Sequence, residues 1–231
     1  MKEYSVRKRI TWVCVLIVAL LIIDQMIKIW VKTTMPLHDS IRITDWFYIS
    51  FIENNGMAYG MTFVNKVVLS VFRIIVSAVV AVYIIKQIKR HARTLYVVLL
   101  ALIFAGAAGN IFDCLFYGLC FSESTPFQVA QWVPFGEGYA SFLQGRVVDM
   151  FYFPIIDTYL PEWLPIWGGE HFIFFSPVFN FADACISVGV VALLLFCRKE
   201  LGTISLSKSK EEDNEEKRQT ADAGKESESQ K

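Results

Sequence analysis

The sequence has no surplus of either charge: 22 Lys and Arg balance 22 Asp and Glu. An electrostatic nucleic-acid binder shows a basic surplus on one face or segment, so that class is excluded. Cysteine is sparse and odd in number. Cys14, Cys114, Cys120, Cys185 and Cys197 stand at irregular spacings with no CxxC pair, which argues against both a disulfide scaffold and a zinc site. Cys114 and Cys120 fall near the outer surface, but so short a loop does not favour a bridge. Histidine is scarcer still. His38, His91 and His171 are scattered, so no Ser/His, Cys/His or metal-ligand constellation forms, and neither metal nor cofactor is expected. Internal repeats are absent. Charge is also thin along most of the chain, because 14 of the 44 charged side chains crowd into residues 206–231.

What is present is apolar. Of 231 residues, 55% are hydrophobic, above the roughly 45–50% of a soluble domain, and the mean hydropathy is +0.44. A bilayer core takes about 20 mostly apolar residues per helix. Four windows meet that length, at about 10–31, 67–85, 95–117 and 174–197. The first follows Lys2, Arg7, Lys8 and Arg9 as a signal peptide would, but it contains Asp24 and Lys28 and no A-x-A-like site follows, so it reads as a retained span. The expected fold is an all-α membrane protein of four transmembrane helices. Residues 1–205 make one membrane domain, and 206–231, without an aromatic residue, make a disordered charged cytoplasmic tail.

Positively charged flanks stay cytoplasmic. Ten Lys and Arg flank one side of the four windows (the N-terminal four, Lys86, Lys89, Arg90, Arg93, Arg198 and Lys199), against Lys32, Arg42, Lys66 and Arg146 on the other. Both termini are therefore expected inside. Segment 36–63 reads as a small external antiparallel β element, from IRITDWFYISFI and the turn signal Asn54-Asn55-Gly56. Segment 117–176 holds 16 aromatics and five of the seven prolines, and reads as a long external loop lying at the headgroup level.

Charged and amide side chains inside spans are costly and point to function. Asp24 lies about 21 Å along the first span from its inner end, at 1.5 Å per residue. Asn110 and Asp113 sit near the outer end of the third span, and Asn180 and Asp183 in the first turns of the fourth. All converge on the outer third of the bilayer. Helical spacing puts Asn110 with Asp113, Asn180 with Asp183, and Asp24 with Lys28 on common faces. Gly106-Ala107-Ala108-Gly109 lets a neighbouring helix approach closely. Asp24 and Lys28 read chiefly as a structural pair, whereas Asn110 and Asp113 read equally as packing contacts or substrate contacts. Asp183, with no basic neighbour in sequence, reads as functional, and Arg73 as a cation reaching outward to the headgroups.

The motifs DQMIK (24–28), NNGMAYG (54–60), GAAGNIFD (106–113), GRVVD (145–149) and FNFAD (179–183) resemble, in the same order, those of the lipoprotein signal peptidase (signal peptidase II) family of bacterial aspartyl proteases. The resemblance covers about residues 10–197. It implies an intramembrane endopeptidase that removes signal peptides from diacylglyceryl-modified prolipoproteins, cutting before the lipidated Cys. It further implies a catalytic dyad of Asp149 and Asp183, substrate-supporting Asn54, Asn110, Asp113 and Asn180, and a structural pair of Asp24 and Lys28. The implied setting is the inner membrane, with the site toward the outer leaflet, lipids as partners and inhibition by globomycin-type cyclic peptides. Two departures stand out. Cys114 occupies the place where the family usually has Arg, so a supporting cation is missing or comes from elsewhere. The connections on either side of Asp149 are also unusually long. Two other classes compete on the residues alone. An ion path would continue polar groups into the inner halves of the spans, where GVVALLLF has none, and a non-catalytic anchoring protein would use the aromatic loop for binding. Cleavage of a lipidated precursor peptide separates them.

Overall fold

The computed structural model describes residues 2–55 and 65–202. The chain divides into two compact units, Met1–Gly189 and Val190–Lys231. Four helices carry the apolar windows: α1 (Lys2–Thr34), α2 (Lys66–Lys89), α3 (Thr94–Phe112) and α4 (Phe181–Phe196). Asn65 caps α2, its side chain accepting from the Val67 N–H at 2.8 Å, and Lys86 and Lys89 complement the dipole at its other end. α3 continues through one π-helical turn, Asp113–Tyr117, and a short helical piece, Gly118–Cys120.

The apolar residues of α1 and α2 point largely outward. Trp12, Val18, Ile22 and Met26 of α1 and Val68, Phe72, Val79 and Val82 of α2 are exposed. Faces of this kind are stable against lipid rather than water. α1, α2 and α3 with its extension to Cys120 are long and apolar enough to cross a membrane, so the chain is a multi-pass membrane protein.

The fourth window departs from expectation. α4 starts at Phe181 rather than near 174, because the preceding residues pair as strands, and its 16 residues span only about 24 Å at 1.5 Å per residue. The expected all-α architecture is likewise too simple. Among the described residues six strands form two sheets: β1 (Ser40–Thr44), β2 (Phe47–Asn54), β3 (Val147–Tyr152) and β6 (Val178–Phe179) join antiparallel in the order β1-β2-β3-β6, while β4 (Ile156–Tyr159) pairs with β5 (His171–Phe174). The small β element of segment 36–63 is present as the β1–β2 hairpin, but it turns at Asp45-Trp46. The Asn54-Asn55-Gly56 signal instead ends β2, and residues 56–64 of the NNGMAYG motif and the segment lie outside the described residues. Segment 117–176 is not one loop, since it supplies the inner strand β3 and the β4–β5 hairpin. Residues 203–231, including the charged tail, also lie outside the described residues.

The packed centre sits where the end of α1, the sheet and the chain after α3 meet. It is built of Val31, Met35, Phe51, Tyr117, Phe121, Val148 and Met150, all buried. All five cysteines are free.

The small-residue strip of α3 fits α4 at van der Waals limits. A Cβ on Gly106 would stand 2.3 Å from the Ala182 carbonyl oxygen, and one on Gly109 2.6 Å from Asp24 Oδ2. Backbone cannot yield as a side-chain tip can, so Gly106→Val should lower thermal stability in detergent micelles by about 1–3 kcal/mol, the usual cost of overpacking. Ala108→Val, which faces an apolar groove between α1, α2 and α3, should change it little.

Candidate active site

Strand β3 brings Asp149 to the centre of the sheet. The β2–β3 register shifts between Ile49 and Ile52, immediately beside the Ile52–Asp149 pair. A bulge of this kind re-aims side chains locally. Asp149 is 3% exposed. Its two carboxylate oxygens accept from different elements: Oδ2 from Asn54 Nδ2 of β2 at 3.2 Å, and Oδ1 from Asn180 Nδ2 at 2.7 Å.

Asn180 stands immediately before α4 and works as its cap. Its Oδ1 accepts from the Asp183 N–H at 2.9 Å, while its own backbone N–H donates to Asp183 Oδ2 at 3.4 Å. This is the reciprocal N-cap to N3 arrangement of a capping box. Asn180 and Asp183 are therefore not two positions on one face of a long span, as their spacing suggests. They are the cap and first turn of a shorter helix, and Asp183 faces the positive end of its dipole.

Asn110 of α3 closes the circuit. Its Nδ2 donates to Asp183 Oδ1 at 2.7 Å, and its Oδ1 accepts from Asn180 Nδ2 at 3.1 Å and from Lys28 Nζ at 2.8 Å. The two carboxylates of Asp149 and Asp183 are thus linked through two amides. Burial pushes the Asp149 carboxyl up to about 7, and the Asp183 charge adds to that. The amide donors Asn54 and Asn180 and the Lys28 charge oppose the rise.

Lys28 is fully buried, with its ammonium 3.0 Å from Asp24 Oδ2 and 2.8 Å from Asp113 Oδ2. Asp24 Oδ1 accepts from the Ala182 N–H of α4 at 3.0 Å. Asp113, at the start of the π-helical turn, accepts from Gln25 Nε2 at 2.9 Å and from the Val148 N–H at 3.4 Å. Its carboxylate is fully buried and bonded to protein partners on three sides. Gly145 lets β3 start here, since a Cβ there would meet the Asp113 carbonyl oxygen at 2.1 Å.

All eight residues singled out in the sequence, Asp24, Lys28, Asn54, Asn110, Asp113, Asp149, Asn180 and Asp183, are joined by these contacts. Several others were missed. Gln25 bridges Asp113, Asp24 and the Gly109 carbonyl, and its Oε1 accepts from the Tyr117 hydroxyl at 3.0 Å. Lys32, Glu53 and Ser124, buried at their side chains, form a second network with the partly exposed Arg146. The repeat of polar residues every four positions at Asp24, Lys28 and Lys32 was the signal for it. Arg73, read in the sequence as reaching outward to the headgroups, has its Nη1 3.9 Å from Cys114 Sγ, so a cation from α2 stands beside that cysteine. Among the described residues, no group of three or more His, Cys, Asp or Glu side chains is gathered as metal ligands.

The family model described as signal peptidase (SPase) II matches residues 16–198. The chain belongs to the signal peptidase II family. The lipoprotein signal peptidase of Porphyromonas gingivalis (strain ATCC 33277) is 52% identical over 184 residues, covering 79% of this chain and 81% of the relative. That of Amoebophilus asiaticus (strain 5a2) is 33% identical over 181 residues, covering 75% and 72%. Two solved structures described as a bacterial membrane enzyme share the fold at 23% identity. They have TM-scores of 0.53 and 0.55, covering 80% and 84% of this chain and 92% of each structure.

In this member of the signal peptidase II family one ammonium, that of Lys28, pairs with two buried carboxylates. Removing one partner of a buried ionic group leaves charge unpaired and costs about 3–5 kcal/mol. Lys28→Met should therefore reduce yield from membranes and lower the midpoint of thermal unfolding. Unchanged yield and midpoint would show that Asp24 and Asp113 do not depend on it.

Proposed function

We propose that this chain is a lipoprotein signal peptidase that removes signal peptides from prolipoproteins through a dyad of Asp149 and Asp183. One observation carries the assignment of the dyad: carboxylates from β3 and α4, the first buried and the second half-buried, are linked by Asn180 and Asn110. Two such groups sharing one proton supply both acid and base. One carboxyl of the pair holds the shared proton and polarises the scissile carbonyl, while the other takes a proton from water as the water oxygen attacks the carbonyl carbon. Collapse of the tetrahedral intermediate breaks the C–N bond, with the amide nitrogen protonated by the dyad. The products are the signal peptide carboxylate and a free amine on the lipidated Cys.

The substrates are diacylglyceryl-modified precursors, cleaved before the modified Cys. The chain lies in the bacterial inner membrane with α4 as its fourth span, both termini cytoplasmic and the dyad toward the outer leaflet. Ten Lys and Arg against four support that orientation, and a short span is accommodated by local thinning of the bilayer. Residues 1–205 act as one membrane domain and 206–231 as a cytoplasmic tail. Exposed Trp163 and Trp167, between β4 and β5, suit the outer headgroup zone. Lipids are partners, and globomycin-type cyclic peptides are inhibitors.

Asn is nearly isosteric with Asp but cannot exchange the proton. Asp149→Asn and Asp183→Asn should each abolish cleavage of a lipidated precursor peptide at normal protein yield, and the double variant should be no worse than either single. Turnover by either variant would remove that residue from the dyad.

The pH dependence has a definite sign. An acid whose value is raised keeps its proton below about 7 and loses it above, so kcat should fall as pH rises through that range, because the acid is lost. A kcat profile flat from pH 6 to pH 9 would contradict the shared proton.

A further inference from the structure

A second polar network lies beside the dyad and takes no part in the steps above. Lys32, one turn beyond Lys28 on α1, is fully buried. Its ammonium pairs with Glu53, donates to Ser124 Oγ at 3.0 Å and lies 4.9 Å from the Tyr139 ring centroid. Glu53 accepts from Ser124 Oγ at 2.8 Å and from Arg146 Nη1 at 3.0 Å. Burial pushes the Glu53 carboxyl up, but Lys32 and the donors Ser124 and Arg146 outweigh it and hold it below its ordinary value. Arg146 also reaches Glu123 at 3.1 Å, and its N–H donates to the Tyr139 hydroxyl at 2.6 Å. The long connection between Asp113 and Asp149 thus supplies Ser124, Tyr139 and Arg146 as the outer wall of the ion pair.

Burying two charges brings little net stability, because desolvation offsets their attraction. A directional benefit is available here. Glu53 immediately precedes Asn54, and successive strand residues point to opposite faces. Glu53 pairs with Val148 and Asn54 with Val147, just past the irregularity between Ile49 and Ile52. A one-residue slip of the end of β2 would reverse which side chain faces Asp149.

We propose that Lys32 and Glu53 are positioning residues for cleavage: their ion pair, walled by Ser124 and Arg146, locks the end of β2 and holds the Asn54 amide against Asp149. The inference rests on Asp149 belonging to the dyad.

The test uses purified full-length chain in micelles, a lipidated precursor peptide, and the variants Glu53→Gln, Lys32→Met/Glu53→Leu and Asp149→Asn in parallel. Replacing both charges by apolar groups generally preserves folding, so the double variant separates positioning from stability. Expected are a 10- to 100-fold loss of kcat, the scale of a small misplacement at a reacting group, a change in KM below about twofold, and a thermal midpoint at or above wild type. The alkaline limb of the kcat profile should also move to higher pH. The amide donated by Asn54 favours the charged form of Asp149, and the other groups acting on it, Asp183, Asn180 and Lys28, are unaltered. Wild-type kcat and an unshifted limb in the double variant, with Asp149→Asn inactive, would overturn the proposal. If the double variant fails to accumulate while Glu53→Gln keeps wild-type kcat and limb, the pair is only structural and the proposal also falls. Activity in Asp149→Asn would instead remove the dyad on which it rests.

Discussion

A single ammonium group holds this structure together. Lys28 is fully buried and touches Asp24 on its own helix, Asp113 at the end of α3 and Asn110 one turn earlier. Each partner then reaches a different element. Asp24 takes the Ala182 N–H at the start of α4, Asp113 takes the Val148 N–H of β3, and Asn110 donates to Asp183. In a low-dielectric interior an ion so placed cannot be left unpaired, so α1, α3, α4 and β3 are held to one mutual arrangement. The glycines of α3 serve the same end, since Gly109 leaves the room in which the Asp24 carboxylate sits.

The Asp149 and Asp183 carboxylates are linked through Asn180 and Asn110, and elements of different kinds deliver them. Asp149 is delivered by a strand at a bulge and Asp183 by the first turn of a helix. Asn180 serves both, capping α4 with its carbonyl oxygen while its amide nitrogen holds Asp149. One short side chain thereby sets where the helix begins and where the carboxylate of β3 points. The connection after Asp113 is integrated in the same way. Phe121 packs in the buried centre, and Ser124, Tyr139 and Arg146 enclose the Lys32–Glu53 pair. What looks in sequence like an inserted outer loop is a wall of the sheet that carries Asp149.

Local composition made the apolar helices legible, because lipid demands a run of apolar residues that needs no knowledge of the rest of the chain. It also showed the polar residues gathered toward one end of those helices, and the ordered motifs pointed to signal peptidase II before any geometry was known. Contacts between distant parts of the chain were not legible. The fourth helix starts seven residues later than hydropathy suggests, because Val178 and Phe179 pair with Tyr152 and Phe151, and an apolar strand and an apolar helix have the same composition. Asn180 and Asp183 lie three apart whether they share a helical face or form a cap. The Asp24–Ala182 bond joins residues 158 positions apart, and Lys32 with Glu53 reads as two ordinary charges until the sheet folds over them. The sequence by itself determined which segments are apolar and which polar residues interrupt them, since those are properties of near neighbours. Only the tertiary structure decided which polar groups meet, since burial lets a charge persist only where a distant part of the chain supplies its partner.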